Sequence, residues 1–369
     1  MVALPRGANF GMKPVAAVRS LVRGGATPIT IPCSSDADGC LAMCNDDQSS
    51  CTILAPLSLL HRLKVASLFG LWFALSVCYS ITNKRINNVL PCPCSIATST
   101  VAVGSMFVST LWLTGLRSAP RVPLTALRTL VPIGICHAIG HMAGTVGVAA
   151  GSVSFTQVVK AAGPVYACVL SATILRQAVS RRIWFSLAPI VLGVALATVK
   201  ELSFAWAALI GAAVSDLAMA FRNVLSKRSM SVLMDVHGNG LKAQDMFGLL
   251  TCISAAISLP TALLVEGRAL PEQWSLAAAS AAGGSSGLAA QLGLAGLLFY
   301  SYSEVAMQAL SNVHSVTHAV GNTIRRVIIM LASMVCFGTP MTPLGAAGSA
   351  LAIGGSYLYA MTKHRETHA

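Results

Sequence analysis

From about residue 65 to residue 362 the chain is a succession of apolar runs about 20 residues long, joined by short polar connections. An α-helix needs a run of that length to cross the ~30 Å hydrocarbon core of a bilayer. In lipid, only helices and closed barrels satisfy their own backbone polar groups. Ten spans are read, at 65–82, 95–116, 129–150, 153–175, 182–199, 203–226, 245–265, 288–310, 314–337 and 343–362. Composition excludes a pair of soluble domains. Only 10% of the 369 residues are charged and 55% are hydrophobic, whereas a soluble surface takes roughly a quarter charged residues. The expected fold class is therefore an all-α integral membrane protein with about ten transmembrane helices. Its 31 glycines suit close helix approach in lipid.

Charge orders these spans. Lys and Arg near span ends number thirteen on the side that would hold both termini and four on the other, the bias expected of positive-inside loops. The net charge of +13 then needs no nucleic acid to explain it. Residues 1–60 read as a separate N-terminal extension, because residues 1–35 are basic and acid-free and lack a continuous apolar stretch. That pattern suits an organelle-targeting sequence, the alternative being a disordered tail. Residues 61–369 form the membrane domain. Cys33, Cys40, Cys44 and Cys51 match no standard zinc spacing, and neither a metal nor a cofactor is expected.

The informative residues are those that lipid should exclude. Lys160 sits about eight residues into the run starting at Val153, Arg325 and Arg326 are mid-run in 314–337, and Arg222 lies toward the end of 203–226. An ionisable side chain at such depth is relieved by a partner, water or a ligand. The acids within spans near these cations are Asp216 and Glu304. Two carboxylates leave at least two positive charges over, so a converging set would form an anion site. Phosphate suits it, since Arg offers a planar fork and Lys a compact charge. Structural ion pairing is the competing reading, and Arg222 could instead reach toward Lys227 and Arg228. His137 and His141 share one helix face at i, i+4. His137 reads as a buried, hydrogen-bonded residue and His141 as a ligand contact. Tyr302 needs a partner for its hydroxyl, while Ser152, Ser154 and Thr156 read as backbone-bonded caps. Very short turns join spans 3–4 and 8–9, each pair carrying cations in its second member, which suggests two inverted halves of five spans with a midplane site.

Several segments resemble the plastid phosphate translocators of the drug/metabolite transporter superfamily. They are Cys136–Pro164 (CHAIGHMAGTVGVAAGSVSFTQVVKAAGP), Pro189–Trp206, Phe221–Met230 (FRNVLSKRSM), Leu259–Gly267 and Val316–Val327 (VTHAVGNTIRRV). The resemblance spans about residues 65–363. It implies ten helices in an inverted 5+5 repeat, location in the plastid (inner) envelope, and exchange of phosphorylated metabolites for inorganic phosphate. It implies that Lys160, Arg325 and Arg326 hold phosphate, and that Arg222, His141 and Tyr302 contact the rest of the substrate. Gly140–His141 and Glu201–Phe204 lean toward the triose-phosphate branch, with triose phosphate and 3-phosphoglycerate as partners. Phe221–Met230 and Thr339–Pro343 lean toward phosphoenolpyruvate. The chain departs from the pattern at six points, one of them Gln157 in place of a common His. Arg325 replaces a Lys, Gly144 a hydroxyl residue and Gly163 a common Glu, and Asp216 and Glu304 replace neutral residues. The rival readings are another sugar-phosphate carrier, a nucleotide-sugar carrier, and a membrane enzyme using His137, His141 and Asp216 on a phosphorylated lipid.

Overall fold

The computed structural model describes residues 29–31, 42–44, 51–53, 59–174, 176, 179–199, 205–230, 243–313, 315–339 and 341–367. Lys200, Glu201–Phe204, the Gly238–Gly240 connection, Lys242 and most of the N-terminal extension, Cys33 and Cys40 included, lie outside these. The chain divides into two units, Met1–Lys64 and Val65–Ala369. In the first, strands β1 (Ile29–Ile31), β2 (Ala42–Cys44) and β3 (Cys51–Ile53) pair antiparallel in the order β1-β3-β2.

The second unit is helical. Its elements are α1 (Leu59–Val89), α2 (Pro93–Leu113), α3 (Leu124–Ala150), α4 (Val153–Val159), α5 (Gly163–Thr173), α6 (Arg181–Val199), α7 (Trp206–Met230), α8 (Ala243–Glu266), α9 (Leu270–Ser280), α10 (Gly284–Asn312), α11 (Ser315–Phe337) and α12 (Pro343–Thr367). Each expected span has its helix. Among the described residues eight helices are long and apolar enough to cross a membrane, α4 with α5 counting as one. α9 with α10, bent by 102°, makes a ninth if the pair is one span, and α12, the tenth expected span, is not among them by that measure. Large apolar side chains face outward, Leu264 at 87% and Val335 at 85% exposure. Water would penalise such a surface and lipid would not.

α9 is an element the sequence reading left in a connection. Pro271 stands in its first turn, where a missing N–H costs nothing. Leu270, Trp274, Ala277 and Ala281 share one face and pack on Ile86, Leu90, Ile96 and Leu288. The bend follows from Gly283 and Gly284, at φ +83° and +63°, a region costly for residues with a Cβ. Small residues set the closest helix crossings. A Cβ at Gly193 of α6 would lie 2.3 Å from the Ala352 nitrogen of α12, and one at Gly211 of α7 would lie 2.8 Å from the Gly147 nitrogen of α3. Any larger residue must therefore push the backbones apart.

Charged residues at span ends cap neighbouring helices. Lys84 of α1 donates to the carbonyls of Val148 and Gly151 at the end of α3, both at 2.8 Å. Glu266 of α8 accepts the N–H groups of Cys94 and Ser95 at the start of α2, at 2.8 and 2.7 Å. Each satisfies groups orphaned at a helix terminus and complements the local dipole. Lys84 thus has a structural task besides its loop charge.

Candidate functional site

The fourth span breaks at its charged residue. α4 ends at Val159, Lys160–Ala162 form a single 3-10 turn, and α5 restarts at Gly163. Pro164 supplies no N–H to the Lys160 carbonyl, which accepts from Gly163 instead. Upstream, Ser152 Oγ accepts from the Phe155 N–H at 3.1 Å and Thr156 bonds back to the carbonyls of Ser152 and Val153. Ser154 instead meets Ser333 Oγ of α11 at 3.1 Å. The capping expectation holds for two of the three.

Lys160 faces α3 and α7. Its Nζ lies 3.1 Å from where a Cβ on Gly144 would stand, with Ser215 Oγ 2.8 Å from the same point. On the other side of the 3-10 turn, a Cβ on Gly163 would stand 3.2 Å from Asp216 Oδ2 and 3.4 Å from Arg326 Nη2. The hydroxyl and carboxylate that the resemblance leads one to expect at 144 and 163 are therefore matched in space by adjacent residues of α7. Asp216 opposes the charges of Arg326, Lys160 and Arg325. Among the described residues, Asp216 is the one acid in the field that Lys160, Arg325 and Arg326 share.

Arg325 leaves its neighbour and turns toward α1. Its guanidinium donates to Asn322 Oδ1 at 3.0 and 3.2 Å and to Ser76 Oγ at 3.4 Å. It also lies 5.3 Å from the Trp72 ring centre and 5.7 Å from that of Tyr302, within cation–π range. Tyr302 packs on Tyr79 and Phe299, with ring centres 5.3 and 5.6 Å away, and Phe299 meets the His141 ring at 4.2 Å. The result is an aromatic wall beside the cations. Trp72, Ser76, Tyr79, Thr100, Ser215 and Phe299 join the site without having been singled out. The signal available for Trp72, Ser76 and Tyr79 was their i, i+4, i+7 spacing on one face of the first span.

Three residues have partners that the sequence left open. Arg222 does not run out to the basic loop; its Nη1 donates to His137 Nδ1 at 2.9 Å and its Nη2 to Asn223 Oδ1 at 2.9 Å. His141, 7% exposed, shares a 2.8 Å hydrogen bond with Thr100 Oγ1 through Nε2. Its ring is therefore held from α2. Glu304 does not approach the site cations. It forms a two-pronged pair with Arg117, at 2.5 and 3.3 Å, which Gln244 Oε1 joins at 3.3 Å and Asp245 at 3.7 Å. Hydrogen bonding to Glu304 holds the Arg117 guanidinium above its ordinary pKa. Arg117, one of the basic residues near span ends, thus has a structural task as well.

Lys160, Arg222, Tyr302, Arg325 and Arg326 keep partial accessibility deep in their spans, while Phe155, Val159, His137 and Tyr300 around them are 2% exposed or less. Ionisable residues at that depth in a span mark candidate substrate pathways. Fold and charge placement together define a polytopic membrane protein with a midspan cluster of cations. The chain belongs to the triose-phosphate transporter family, whose model matches residues 63–360. It is 33% identical over 311 residues, 82% of this chain and 76% of the relative, to the chloroplastic glucose-6-phosphate/phosphate translocator 2 of Arabidopsis thaliana. It is 31% identical over 335 residues, 90% of this chain and 80% of the relative, to the chloroplastic triose phosphate/phosphate translocator of Pisum sativum. It is 33% identical over 307 residues, 83% of this chain and 79% of the relative, to the chloroplastic phosphoenolpyruvate/phosphate translocator 2 of Arabidopsis thaliana. A solved crystal structure matches at TM-score 0.50 and 16% identity, over 82% of this chain and 98% of that one, a likeness of fold.

Proposed function

We propose that the protein is an antiporter that exchanges inorganic phosphate for phosphorylated C3 compounds, triose phosphate first, across a plastid envelope membrane. The observation that carries this reading is the cation excess at the break in the fourth span. Lys160, Arg325 and Arg326 share one field, and Asp216 is the acid that balances them. Lys160 and Arg326 hold the phosphate, Arg325 steadies it from the Trp72–Tyr302 side, and Arg222, His141 and Tyr302 meet the organic part. Without a bound anion the cations repel one another, so closing around them is costly. A phosphate of charge near −2 neutralises them and lets the carrier close, because it binds the closed state better than the open one. Either partner does this, which couples the two movements. The relatives carry different organic partners at nearly equal identity, so the C3 reading rests on the motifs at Gly140–His141 and Glu201–Phe204.

The test is uptake of labelled phosphate into liposomes preloaded with triose phosphate, set against liposomes preloaded with a nucleotide sugar. Uptake driven by triose phosphate supports the reading. Uptake driven only by the nucleotide sugar would replace it.

A further inference from the structure

Among the described residues Asp216 is the acid beside the phosphate cations: its Oδ2 and Arg326 Nη2 stand 3.2 and 3.4 Å from one point, the place of a Cβ on Gly163. Asp216 is 8% exposed. Its Oδ2 has no hydrogen-bond partner, and among the described residues neither Arg326 nor Lys160 is in ion-pair contact with it. A buried carboxylate oxygen without a donor is costly unless something arrives to satisfy it. It is positioned by a stripe on α7 that faces α3. Ser215 donates to the Gly140 carbonyl at 2.7 Å, Met219 packs on Gly140, and Arg222 bonds His137. Gly163 leaves open the space beside Oδ2.

We propose that Asp216 is a specificity-determining residue for the organic half of the substrate. It accepts a hydroxyl from a phosphate ester that carries one, and it repels a second carboxylate. Its negative charge opposes a substrate carboxylate brought beside it. An ionised carboxylate is an acceptor only, so a hydroxyl satisfies it and a substrate carboxylate does not. Like charges brought together across a binding surface suppress the wrong partner. A site built to bond a hydroxyl also rejects the analogue that lacks it. The favoured class is hydroxyl-bearing, carboxyl-free phosphate esters. The expected order is dihydroxyacetone phosphate, then 3-phosphoglycerate, which has both groups, then phosphoenolpyruvate, which has no hydroxyl. This inference rests on the phosphate-exchange reading above.

The experiment uses the full chain in phosphate-loaded liposomes, with labelled phosphate uptake competed by these three compounds. Wild-type protein should need at least roughly tenfold more phosphoenolpyruvate than dihydroxyacetone phosphate for half-inhibition, the scale of one lost polar contact. Asp216→Asn, which keeps an acceptor but loses the charge, should narrow that ratio to within about threefold by improving phosphoenolpyruvate. Asp216→Glu should keep the preference. Phosphate homo-exchange in the same vesicles tests the parent reading separately. Wild-type homo-exchange with phosphoenolpyruvate as the best competitor would overturn the assignment of Asp216 and leave the carrier reading intact. An unchanged ratio in a homo-exchanging Asp216→Asn protein would do the same. If Asp216→Asn protein does not insert, the wild-type order and Asp216→Glu decide. Absence of wild-type homo-exchange from folded protein would overturn the carrier reading itself.

Discussion

Two arginine-centred clusters in this protein have opposite charge balances. Arg117, at the end of α2, is gripped by Glu304 at 2.5 Å and approached by Asp245 at 3.7 Å, with both side chains of the closer pair 20% exposed or less. Arg326, midway along α11, has Lys160 and Arg325 in its field and, among the described residues, Asp216 alone opposed. The first cluster has acids enough to neutralise its cation and is structural, tying the connection after α2 to α8 and α10. The second keeps a surplus of positive charge that the fold does not neutralise. Burying unbalanced charge costs several kcal/mol per ion, so a site of this kind persists where an anionic ligand completes it. The contrast separates a lock from the proposed binding site within one chain.

Substitutions can sharpen that contrast. The largest effect is expected at the surplus cluster. Lys160→Ala or Arg326→Ala should cut phosphate exchange on the order of 100-fold or more, the cost of truncating one member of a buried charge pair. Each should leave the detergent-solubilised protein monodisperse with near wild-type thermal stability. Arg325→Ala should also cut exchange by at least roughly tenfold, because a charge-assisted contact is worth about 1.5–3 kcal/mol. Glu304→Gln should do the reverse. Losing the carboxylate should lower stability by about 2 kcal/mol, seen as an earlier thermal unfolding, while exchange at saturating phosphate stays within about threefold. A larger loss of exchange than of stability in Glu304→Gln would break the distinction. The smallest effect is expected at Gly163→Ala. The added methyl would stand 3.2 Å from Asp216 Oδ2 and 3.4 Å from Arg326 Nη2. It should raise the KM for phosphate by a few-fold, consistent with a modest overpacking cost of about 1 kcal/mol.

Much of the fold was legible because lipid leaves a chain few options. Span length and hydropathy placed every long helix, and Pro and Gly marked the turns. α9 escaped for a physical reason. Its 11 residues are too short for a span, and its apolar face at Leu270, Trp274, Ala277 and Ala281 shows only at helical spacing. The cations of the site were legible as well, because ionisable residues are so costly in a span that each demands an explanation. Their partners were not. Whether Glu304 meets Arg117 or Arg222, and whether Ser215 stands beside Gly144, depends on which helix faces cross. No local pattern in α7 or α10 encodes that. Ser215 illustrates the limit: a serine inside an apolar run reads as a small packing residue until α3 is seen to bring Gly144 against it.

The central claim is that the surplus cations must be neutralised by a bound phosphate before the carrier can cross its closed state. Its most direct test is labelled phosphate uptake by wild-type and Lys160→Ala protein, in liposomes preloaded with phosphate and in liposomes without it. The account predicts rapid uptake by wild-type protein into loaded vesicles, little into unloaded ones, and none by Lys160→Ala in either. Equal wild-type uptake into both kinds of vesicle, or normal exchange by Lys160→Ala, would contradict it.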